Sequence, residues 1–235
     1  MRAALSNYLV KMATEHDNFI ILSGDHGYAL FDDVRRLFPN KFINVGVSEQ
    51  AMVGYAAGLA KSGFKVLIYG LGAFVPLRVF EFIKMDICYD KQSIVILGDG
   101  AGLVYNTLGA SHQCSEDISM MRTLPNMNVF SPADKYELTA SLDKAFSSLN
   151  SSYLRIGKSD KQEVNSNQII IDEFGFNVLN NVDSEIAIFA TGSLVSTAIS
   201  ISKKLDCKVI SVPFFSHLKD VNIKSLIGKI GRAHV

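Results

Sequence analysis

The sequence contains few of the residues on which disulfide-bonded and metal-binding proteins depend. Among its 235 residues there are three cysteines, Cys88, Cys114 and Cys207, with no CxxC pair and no metal-ligand spacing. A sparse, odd set of cysteines is typical of reduced thiols in a cytoplasmic protein. We therefore expect neither a disulfide framework nor a metal ion held by this chain.

The sequence also lacks net charge and long apolar runs. Lysine and arginine (23 residues) balance aspartate and glutamate (23 residues), so no excess charge favours nucleic acid or an acidic membrane as a partner. No apolar run approaches the roughly 20 residues that a membrane-spanning helix needs, and the N-terminal segment lacks the uninterrupted apolar core of a signal peptide. We expect a soluble cytoplasmic protein that binds neither nucleic acid nor membrane.

What is present is a regular alternation of short apolar runs with stretches of helical periodicity. Continuous apolar runs of this length are typical of buried parallel strands, and the stretches between them have the spacing of amphipathic helices. Strands are predicted at 19–22, 42–45, 65–69, 93–97, 128–130 and 152–156, and helices at 2–15, 49–62, 77–89 and 133–148. The pattern predicts an α/β fold with a parallel sheet flanked by helices, in which ligands bind at the carboxyl ends of the strands.

The chain is predicted to contain two α/β units. Residues 1–157 form the first, the polar segment 158–168 is a linker, and residues 169–229 contain strands at 185–190 and 208–212 with a helix at 194–205 between them. The second unit has fewer strands than a parallel domain normally needs, so we expect it to be truncated. Residues 230–235 (IGRAHV) back-translate to a common sequencing-adapter read, so we expect a non-native tail there.

The first motif, INVGVSEQAMVGYAAGLA, spans residues 43–60 and covers the end of a strand, a turn and a helix. Ser48 is predicted to cap that helix, and Glu49 lies in its first turn. The many small residues that follow predict that another element packs very close to the helix. Taken alone, Glu49 is explained by the favourable interaction of a carboxylate with the helix dipole.

Two further motifs follow later strands of the predicted sheet. The segment YGLGAFVPLRVFEFIKMDICY places Phe74 in a loop after a strand and Arg78 near the start of the next helix. Phe74 is either a core residue or a platform on which a flat heterocycle stacks. The loop-rich segment GDGAGLVYNTLGASHQCSEDISMMRTLPNMNVFSPAD contains His112, which is either solvated or placed to donate or accept a proton.

In this order and spacing, the three motifs resemble the pyrimidine-binding domain of transketolase and of 1-deoxyxylulose-5-phosphate synthase. They look nearest to the stand-alone transketolase C-terminal subunits. The resemblance covers residues 1–158, and a weaker resemblance to the third domain of the family lies in IAIFATGSLVSTAIS and VISVPFF. It implies that residues 1–157 are a pyrimidine-binding domain, and that the chain is one subunit of a split, thiamine-diphosphate-dependent enzyme that transfers or joins a ketol unit.

The resemblance also implies roles for five residues. Glu49 matches the catalytic glutamate that binds a ring nitrogen of the cofactor's pyrimidine, and Phe74 matches the aromatic residue that stacks on that ring. Arg78 and His112 match positions that face the substrate channel, where His112 is also expected to act catalytically. Arg155 matches an arginine that grips a substrate phosphate.

Departures from the family pattern concern the substrate. The family has an aspartate four residues before the loop histidine, where this chain has Leu108, and the synthase has an arginine where this chain has Gly100. The substrate is therefore expected to differ from the usual phosphosugar. Gly98-Asp99-Gly100 with Asn126 downstream imitates the GDG…N motif that holds Mg²⁺, but it falls in the pyrimidine domain, so we expect no metal there.

The resemblance implies partners that this chain does not itself supply. An N-terminal diphosphate-binding subunit is expected to hold Mg²⁺, the pyrimidine domains are expected to pair, and the assembly is expected to be a heterotetramer acting on a small sugar or keto substrate. A cleft half with exposed Tyr28, Leu71, Phe74 and Tyr105 is predicted as the interface. The alternatives are the β subunit of a 2-oxoacid dehydrogenase and a non-catalytic binding module of the same fold.

Overall fold

The computed structural model of the chain describes residues 1–157, 163–171, 174–180 and 182–215. Within these ranges, three 3₁₀ turns and two π-helical turns interrupt the regular elements, and the π-helical turns are Ala73–Leu77 and Ile83–Tyr89. The strands and α-helices are α1 (Arg2–Glu15), β1 (Phe19–Ser23), α2 (Asp32–Leu37), β2 (Phe42–Asn44), α3 (Glu49–Lys61), β3 (Lys65–Leu71), α4 (Phe80–Phe82), β4 (Ile94–Asp99), α5 (Asp117–Arg122), β5 (Met127–Phe130), α6 (Lys135–Ser147), β6 (Ser151–Ile156), β7 (Asn177–Val178), β8 (Ala187–Ala190), α7 (Val195–Leu205) and β9 (Lys208–Ser211).

The first six strands form one parallel sheet in the order β2-β1-β3-β4-β6-β5. The central strands β1, β3 and β4 are buried along almost their whole length, because helices cover both faces of the sheet. The predicted α/β fold with a parallel sheet is confirmed. All six strands therefore present their carboxyl ends at one edge of the sheet.

Side chains of each strand alternate between two separate cores. On β3, Leu67 and Tyr69 join the core under α1, α2 and α6, whereas Val66 and Ile68 join the core under α3, α5 and the π-helical turns. This alternation follows from the two-residue period of a strand. Because both cores are filled, the sheet is a rigid platform for the loops at its carboxyl edge.

The predicted continuous helix at 77–89 is wrong. The segment is divided among Ala73–Leu77, α4 and Ile83–Tyr89, and both flanking pieces are π-helical. Pro76 lies inside the first π-helical turn and has no amide hydrogen, so a regular α-helical ladder cannot form there. Phe74 accordingly lies in a helical turn directly after β3 and not in an open loop.

Helix α3 begins at Glu49, as the sequence predicts. Ser48 occupies the N-cap position, but its side chain makes no capping hydrogen bond, so the predicted cap is wrong. A Cβ atom placed on Gly54 or Gly58 would meet no described atom within 4 Å. Among the described residues, close packing is therefore found at Ala56 and Ala57 of this helix, which are buried, but not at Gly54 and Gly58.

The second unit is a three-stranded sheet in the order β7-β9-β8, in which β7 runs antiparallel to β9. It packs against the end of β5, where the rings of Phe130 and Phe214 stack with centroids 4.6 Å apart. The Ser131 amide also donates to the carbonyl of Pro213 at 2.9 Å. The short strand β7 was not predicted, and the expected tail at 230–235 lies outside the described residues.

One buried carboxylate joins the start of α6 to the segment predicted as a linker. Asp134 is the N-cap of α6, where Oδ1 accepts from the amides of Tyr136 and Glu137 at 3.0 Å each. Its Oδ2 accepts from the amides of Val164 and Asn165 at 3.0 and 2.8 Å. The predicted linker segment is therefore tied to the start of α6.

All three cysteines are buried and form no disulfide. Burial raises the pKa of Cys88 to about 12. Burial, and then the nearby carboxylate of Asp117, raises the pKa of Cys114 to about 12. Within the described ranges, no helix is long and apolar enough to span a membrane.

Candidate active site

A cavity of about 390 Å³ opens at the carboxyl edge of the main sheet. Its walls come from the loop after β1, the end of β3 with the turn that follows, the end of β4 and the long loop before α5. The side chains that line it include His26, Phe74, Asp99 and His112. The cavity lies where the sequence predicts a ligand site, because parallel strands bring their following loops together.

Glu49 lies beside this cavity at the first position of α3. The residue is 7% exposed, and its Oε1 atom is buried without a hydrogen-bond partner among the described residues. The imidazole of His26, which lines the cavity, has Nε2 3.9 Å from Oε1. A buried carboxylate oxygen without a partner is costly unless a ligand supplies a hydrogen bond.

Phe74 has cationic and heteroaromatic groups around its ring. The Arg78 guanidinium carbon is 3.8 Å from the ring centroid, and the rings of His26 and His112 are 5.7 and 5.3 Å away. The π-helical turn places Phe74 and Arg78 four residues apart on one side, which allows this cation–π contact. Phe74 is 8% exposed, so the prediction that it contributes exposed apolar surface is wrong.

His112 is held at the cavity by the anchored end of a long loop. Gly102 and Cys114 form an antiparallel bridge with two backbone hydrogen bonds of 2.6 and 3.0 Å. The Nδ1 atom of His112 is 2.9 Å from Oγ of Ser111. The structure therefore brings the rings of His112 and Phe74 together. Glu49 is connected to Phe74 through His26, whose imidazole lies between them in this series of contacts.

Arg155 is placed differently from the other predicted site residues. Its Nε donates to Oδ2 of Asp117 at 2.8 Å, and this carboxylate is fully buried and also accepts from the Tyr153 hydroxyl at 2.8 Å. A Cβ atom on Gly102 would lie 3.0 Å from Nη2 of Arg155. Arg155 thus lies beneath the loop that carries His112 and does not line the cavity.

The sequence interpretation missed several residues of the cavity wall. Asp99 is buried and accepts a 2.6 Å hydrogen bond from the Tyr69 hydroxyl. Burial, and then the Asp99 carboxylate, raises the pKa of Tyr69 well above its ordinary value, so the phenol remains a donor. Arg2 also lines the cavity. The sequence signal that could have identified His26 and Asp99 is their position. His26 follows the buried strand β1 closely, and Asp99 is the last residue of the buried strand β4.

The Gly98-Asp99-Gly100 segment has a structural explanation in this chain. Gly100 has φ +68°, and a Cβ there would collide with the ring of Tyr105, which lines the cavity. Asn126 donates to the carbonyl of Cys88 at 3.2 Å. No group of three His, Cys, Asp or Glu among the described residues could hold a metal ion.

The arrangement fits a flat, nitrogen-containing ring. The unsatisfied Oε1 of Glu49 needs a hydrogen-bonding partner, and Phe74 offers an aromatic ring nearby. The pyrimidine ring of thiamine diphosphate has both the flat face and the ring nitrogen that these two residues require. The residues of this chain therefore fit the pyrimidine part of that cofactor.

Comparisons with known proteins agree with this geometry. The family model described as the pyrimidine-binding domain of transketolase matches residues 1–162. An apulose-4-phosphate transketolase subunit of Phocaeicola vulgatus is 29% identical over 96% of this chain and 73% of its own. A 6-deoxy-6-sulfo-D-fructose transketolase subunit of a Clostridium species is 28% identical over 87% of this chain and 64% of its own.

A solved structure, described as a split-gene transketolase in an inactive β4 tetramer, is 32% identical with a TM-score of 0.81. It matches 90% of this chain, which corresponds to 71% of that protein. The chain thus spans only part of each of these relatives. Since the matched family model covers more than half of its length, the chain belongs to the transketolase family through its pyrimidine-binding domain.

Proposed function

We propose that the chain is the pyrimidine-domain subunit of a split, thiamine-diphosphate-dependent transketolase that transfers or joins a ketol unit. The observation that carries the proposal is the buried, unpartnered Oε1 of Glu49 beside the cavity that Phe74 lines. A carboxylate in this environment is suited to share a proton with a ring nitrogen, because the low-polarity surroundings strengthen that hydrogen bond. The relatives that are themselves named as transketolase subunits support the same proposal.

When bound, thiamine diphosphate supplies a nucleophilic carbon that adds to a ketone and stabilises the carbanion left by C–C cleavage. The Glu49 carboxyl group would form a hydrogen bond with the pyrimidine ring nitrogen and share a proton with it. Phe74 would pack against the ring, with Arg78 fixed on the aromatic side chain by the 3.8 Å contact. His112 would donate or accept a proton on the substrate side of the cavity, because an imidazole changes charge near neutral pH.

Arg155 is proposed to bind an anionic group of the substrate. This role rests on the resemblance, because in the structure the guanidinium is paired with the fully buried Asp117 and lies beneath the loop that carries His112. The substrate is proposed to be a small sugar or keto compound. Leu108 is exposed at the cavity, where the family has an aspartate, so this part of the wall offers no polar contact to a sugar hydroxyl.

The partner is proposed to be an N-terminal subunit that binds the diphosphate through Mg²⁺. Tyr28 lines the cavity and is 71% exposed, and Val47 and Leu103, in loops after β2 and β4 at the same edge of the sheet, are 78% and 64% exposed; these apolar side chains support an interface. Of the residues that were predicted to be exposed at this interface, Tyr28 is exposed, whereas Leu71 and Tyr105 are half-buried. Covering these residues would also exclude water from Glu49.

A second uncovered surface supports pairing of pyrimidine domains. A groove of about 590 Å³ runs between α3 and the π-helical turn Ile83–Tyr89, with Gly54 and Gly58 at its floor and Met85 and Tyr89 exposed beside it. The solved split-gene relative is described as a β4 tetramer, which supports self-association of such chains. We propose a heterotetramer of two copies of each subunit, located in the cytoplasm, with domain limits at 1–157 and 169–229.

The test is turnover by this chain co-expressed with a subunit that carries the GDG…N motif. Glu49→Gln is expected to lower the rate by about 10²–10⁴-fold while the fold is retained, because the amide cannot share the proton. Glu15→Gln changes an exposed glutamate at the end of α1 and serves as the matched control.

Full turnover by a folded Glu49→Gln variant would contradict the proposal. Decarboxylation of a 2-oxo acid instead of ketol transfer would favour the dehydrogenase β subunit. Cofactor binding without any turnover would favour a non-catalytic module.

A further inference from the structure

His26 lines the cavity, and the proposed mechanism gives it no role. It follows β1 in the segment Ser23-Gly24-Asp25-His26, where a tight turn holds its backbone. The His26 amide donates to the carbonyl of Gly24 at 2.7 Å, and the Ser23 hydroxyl donates to the carbonyl of His26 at 3.2 Å. The imidazole is thus presented from a fixed backbone at the edge of the rigid sheet.

The imidazole of His26 lies close to both groups that a bound heterocycle would use. Its Nε2 is 3.9 Å from Oε1 of Glu49, and its ring centroid is 5.7 Å from that of Phe74 at an interplanar angle of 41°. The separation from Glu49 is too long for a hydrogen bond and short enough to become one after a small rotation of the side chain. About a quarter of the His26 side chain is exposed, so it can exchange protons with solvent.

Gly24 leaves the space between these two side chains open. A Cβ atom at position 24 would lie 3.4 Å from Cδ2 of His26 and 3.8 Å from Oε1 of Glu49. Any larger side chain there would extend toward both groups. The chain therefore allows direct approach of the imidazole to the carboxylate.

We propose that His26 competes with the bound pyrimidine for Glu49. An uncharged imidazole leaves Oε1 of Glu49 available to the ring nitrogen of the ligand. A charged imidazole closes the 3.9 Å gap and forms a charge-assisted hydrogen bond with Oε1, so the ligand loses this partner. Binding of the cofactor at Glu49 then weakens on the acid side of neutrality; this consequence depends on the proposed function, whereas the contact between the two side chains does not.

Other charged groups around the cavity bear on the charge of the imidazole. Asp25 precedes His26 in the same loop, and Asp99 at the end of β4 is a second carboxylate of the cavity wall. Arg2 from α1 and His112 from the long loop also line the cavity, and Arg78 lies over Phe74. Among these described groups, the direct contact with the unpartnered carboxylate oxygen belongs to His26.

Crystal structures of the ligand-free full chain at pH 8.0 and pH 5.5 test the contact itself. At pH 8.0 the Nε2–Oε1 distance is expected to stay too long for a hydrogen bond, and at pH 5.5 it is expected to shorten to about 2.8 Å. A distance that remains near 3.9 Å at pH 5.5 would overturn the proposal. This measurement requires no cofactor and stands apart from the proposed function.

Affinity for thiamine diphosphate at the same two pH values tests the consequence. Wild-type affinity is expected to fall by about tenfold from pH 8.0 to pH 5.5, as loss of one hydrogen bond to a charged group predicts. His26→Leu and His26→Gln are expected to remove most of this fall, because neither side chain becomes charged. His26→Gln retains an uncharged donor that can reach Oε1 of Glu49. If this variant binds the cofactor more weakly than His26→Leu at both pH values, a hydrogen bond to Glu49 competes with the cofactor even without a charge on residue 26.

His112→Gln is the matched control, since it removes the other imidazole of the cavity. Its affinity is expected to change while the tenfold fall with pH persists. A pH-dependent fall that persists in both His26 variants would overturn the proposal, and its disappearance in His112→Gln would assign the fall to the other imidazole. If the wild-type chain binds no cofactor at either pH even with the diphosphate-binding subunit present, the proposed function fails, and the crystallographic distance still decides the contact between His26 and Glu49.

Discussion

At the scale of single residues, the contribution of Phe74 to ligand binding can be measured separately from its contribution to stability. It packs in a small cluster with Ala73 and Cys114, and Arg78 lies on its ring. Phe74→Leu keeps most of the apolar volume and removes the aromatic ring. We expect about 2- to 13-fold weaker binding of thiamine diphosphate, because aromatic stacking is worth about 0.5–1.5 kcal/mol beyond area burial.

Calorimetric titration measures this change, and urea unfolding measures stability in parallel. Stability of Phe74→Leu is expected to change by less than about 1.5 kcal/mol, since the volume is nearly conserved. Val75→Ala is the control, because Val75 is fully buried in the core on the α3 face. That substitution should lower stability and leave affinity nearly unchanged. An unfolded Phe74→Leu variant with normal affinity in the folded fraction would show that Phe74 is only a core residue.

Glu137 gives a second prediction at this scale. The residue is fully buried, and burial raises the pKa of its carboxyl above the ordinary value of 4.5, although hydrogen bonds from the Ala133 amide and from Asn177 oppose the change. The folded protein therefore holds this proton more tightly than the unfolded chain does. Its contribution to stability is complete below pH 4.5 and is lost as the pH rises through the folded pKa.

Urea unfolding between pH 4 and pH 8 tests this sign by comparison with Glu137→Gln, which stays neutral. Wild-type stability relative to the variant is expected to decrease as the pH rises above 4.5. Other carboxylates titrate alike in both proteins and cancel in the difference. A difference that stays constant or increases with pH would contradict the prediction.

At the scale of elements, α6 depends on its N-cap. Asp134 accepts from two helix amides and from the linker segment, and it is almost fully buried. Asp134→Ala is expected to lower the free energy of unfolding by at least about 2 kcal/mol, because a cap is lost and buried donors remain unsatisfied. Glu116→Ala is the control, since Glu116 is the N-cap of α5 without a capping hydrogen bond. Equal effects of both substitutions in urea unfolding would refute this explanation.

The elements that were predictable from sequence are those whose apolar pattern is continuous. The strands β1, β3 and β4 are buried on both faces, so their sequences are uninterrupted apolar runs. The segment 77–89 has helical spacing too, but Pro76 and the turn after β3 shift its hydrogen bonds to π-helical ones. Strand β7 has two residues and is defined by its pairing with β9. The sequence of so short a segment contains no pattern that predicts this pairing.

The candidate site was predictable only in part, for a similar reason. Glu49, Phe74, Arg78 and His112 stand in motifs with recognisable spacing. The contact of His26 with Glu49 depends on the end of β1 lying beside the start of α3, and the pairing of Arg155 with Asp117 depends on β6 lying beside α5. Such contacts are set by the three-dimensional arrangement of distant segments.

At the scale of the whole molecule, the chain is expected to bind thiamine diphosphate weakly without a partner. The diphosphate group makes charge-assisted contacts and is held through a metal ion, and we propose that both the contacts and the metal site belong to the partner subunit. Calorimetry on the purified chain with Mg²⁺ should show weak binding, and addition of the diphosphate-binding subunit should strengthen it. Tight, metal-dependent binding by the chain alone would mean that Gly98-Asp99-Gly100 is a diphosphate site.

The shared carboxylate of Asp134 has a consequence for cooperativity. One oxygen closes the start of α6 and the other holds Val164 and Asn165, so neither segment can open without exposing partners of the other. Hydrogen exchange at the amides of Tyr136 and Asn165 should therefore report one common opening reaction. The six-stranded sheet and the smaller sheet would then unfold as a single cooperative unit, and the packing of Phe214 with Phe130 in one core acts in the same direction.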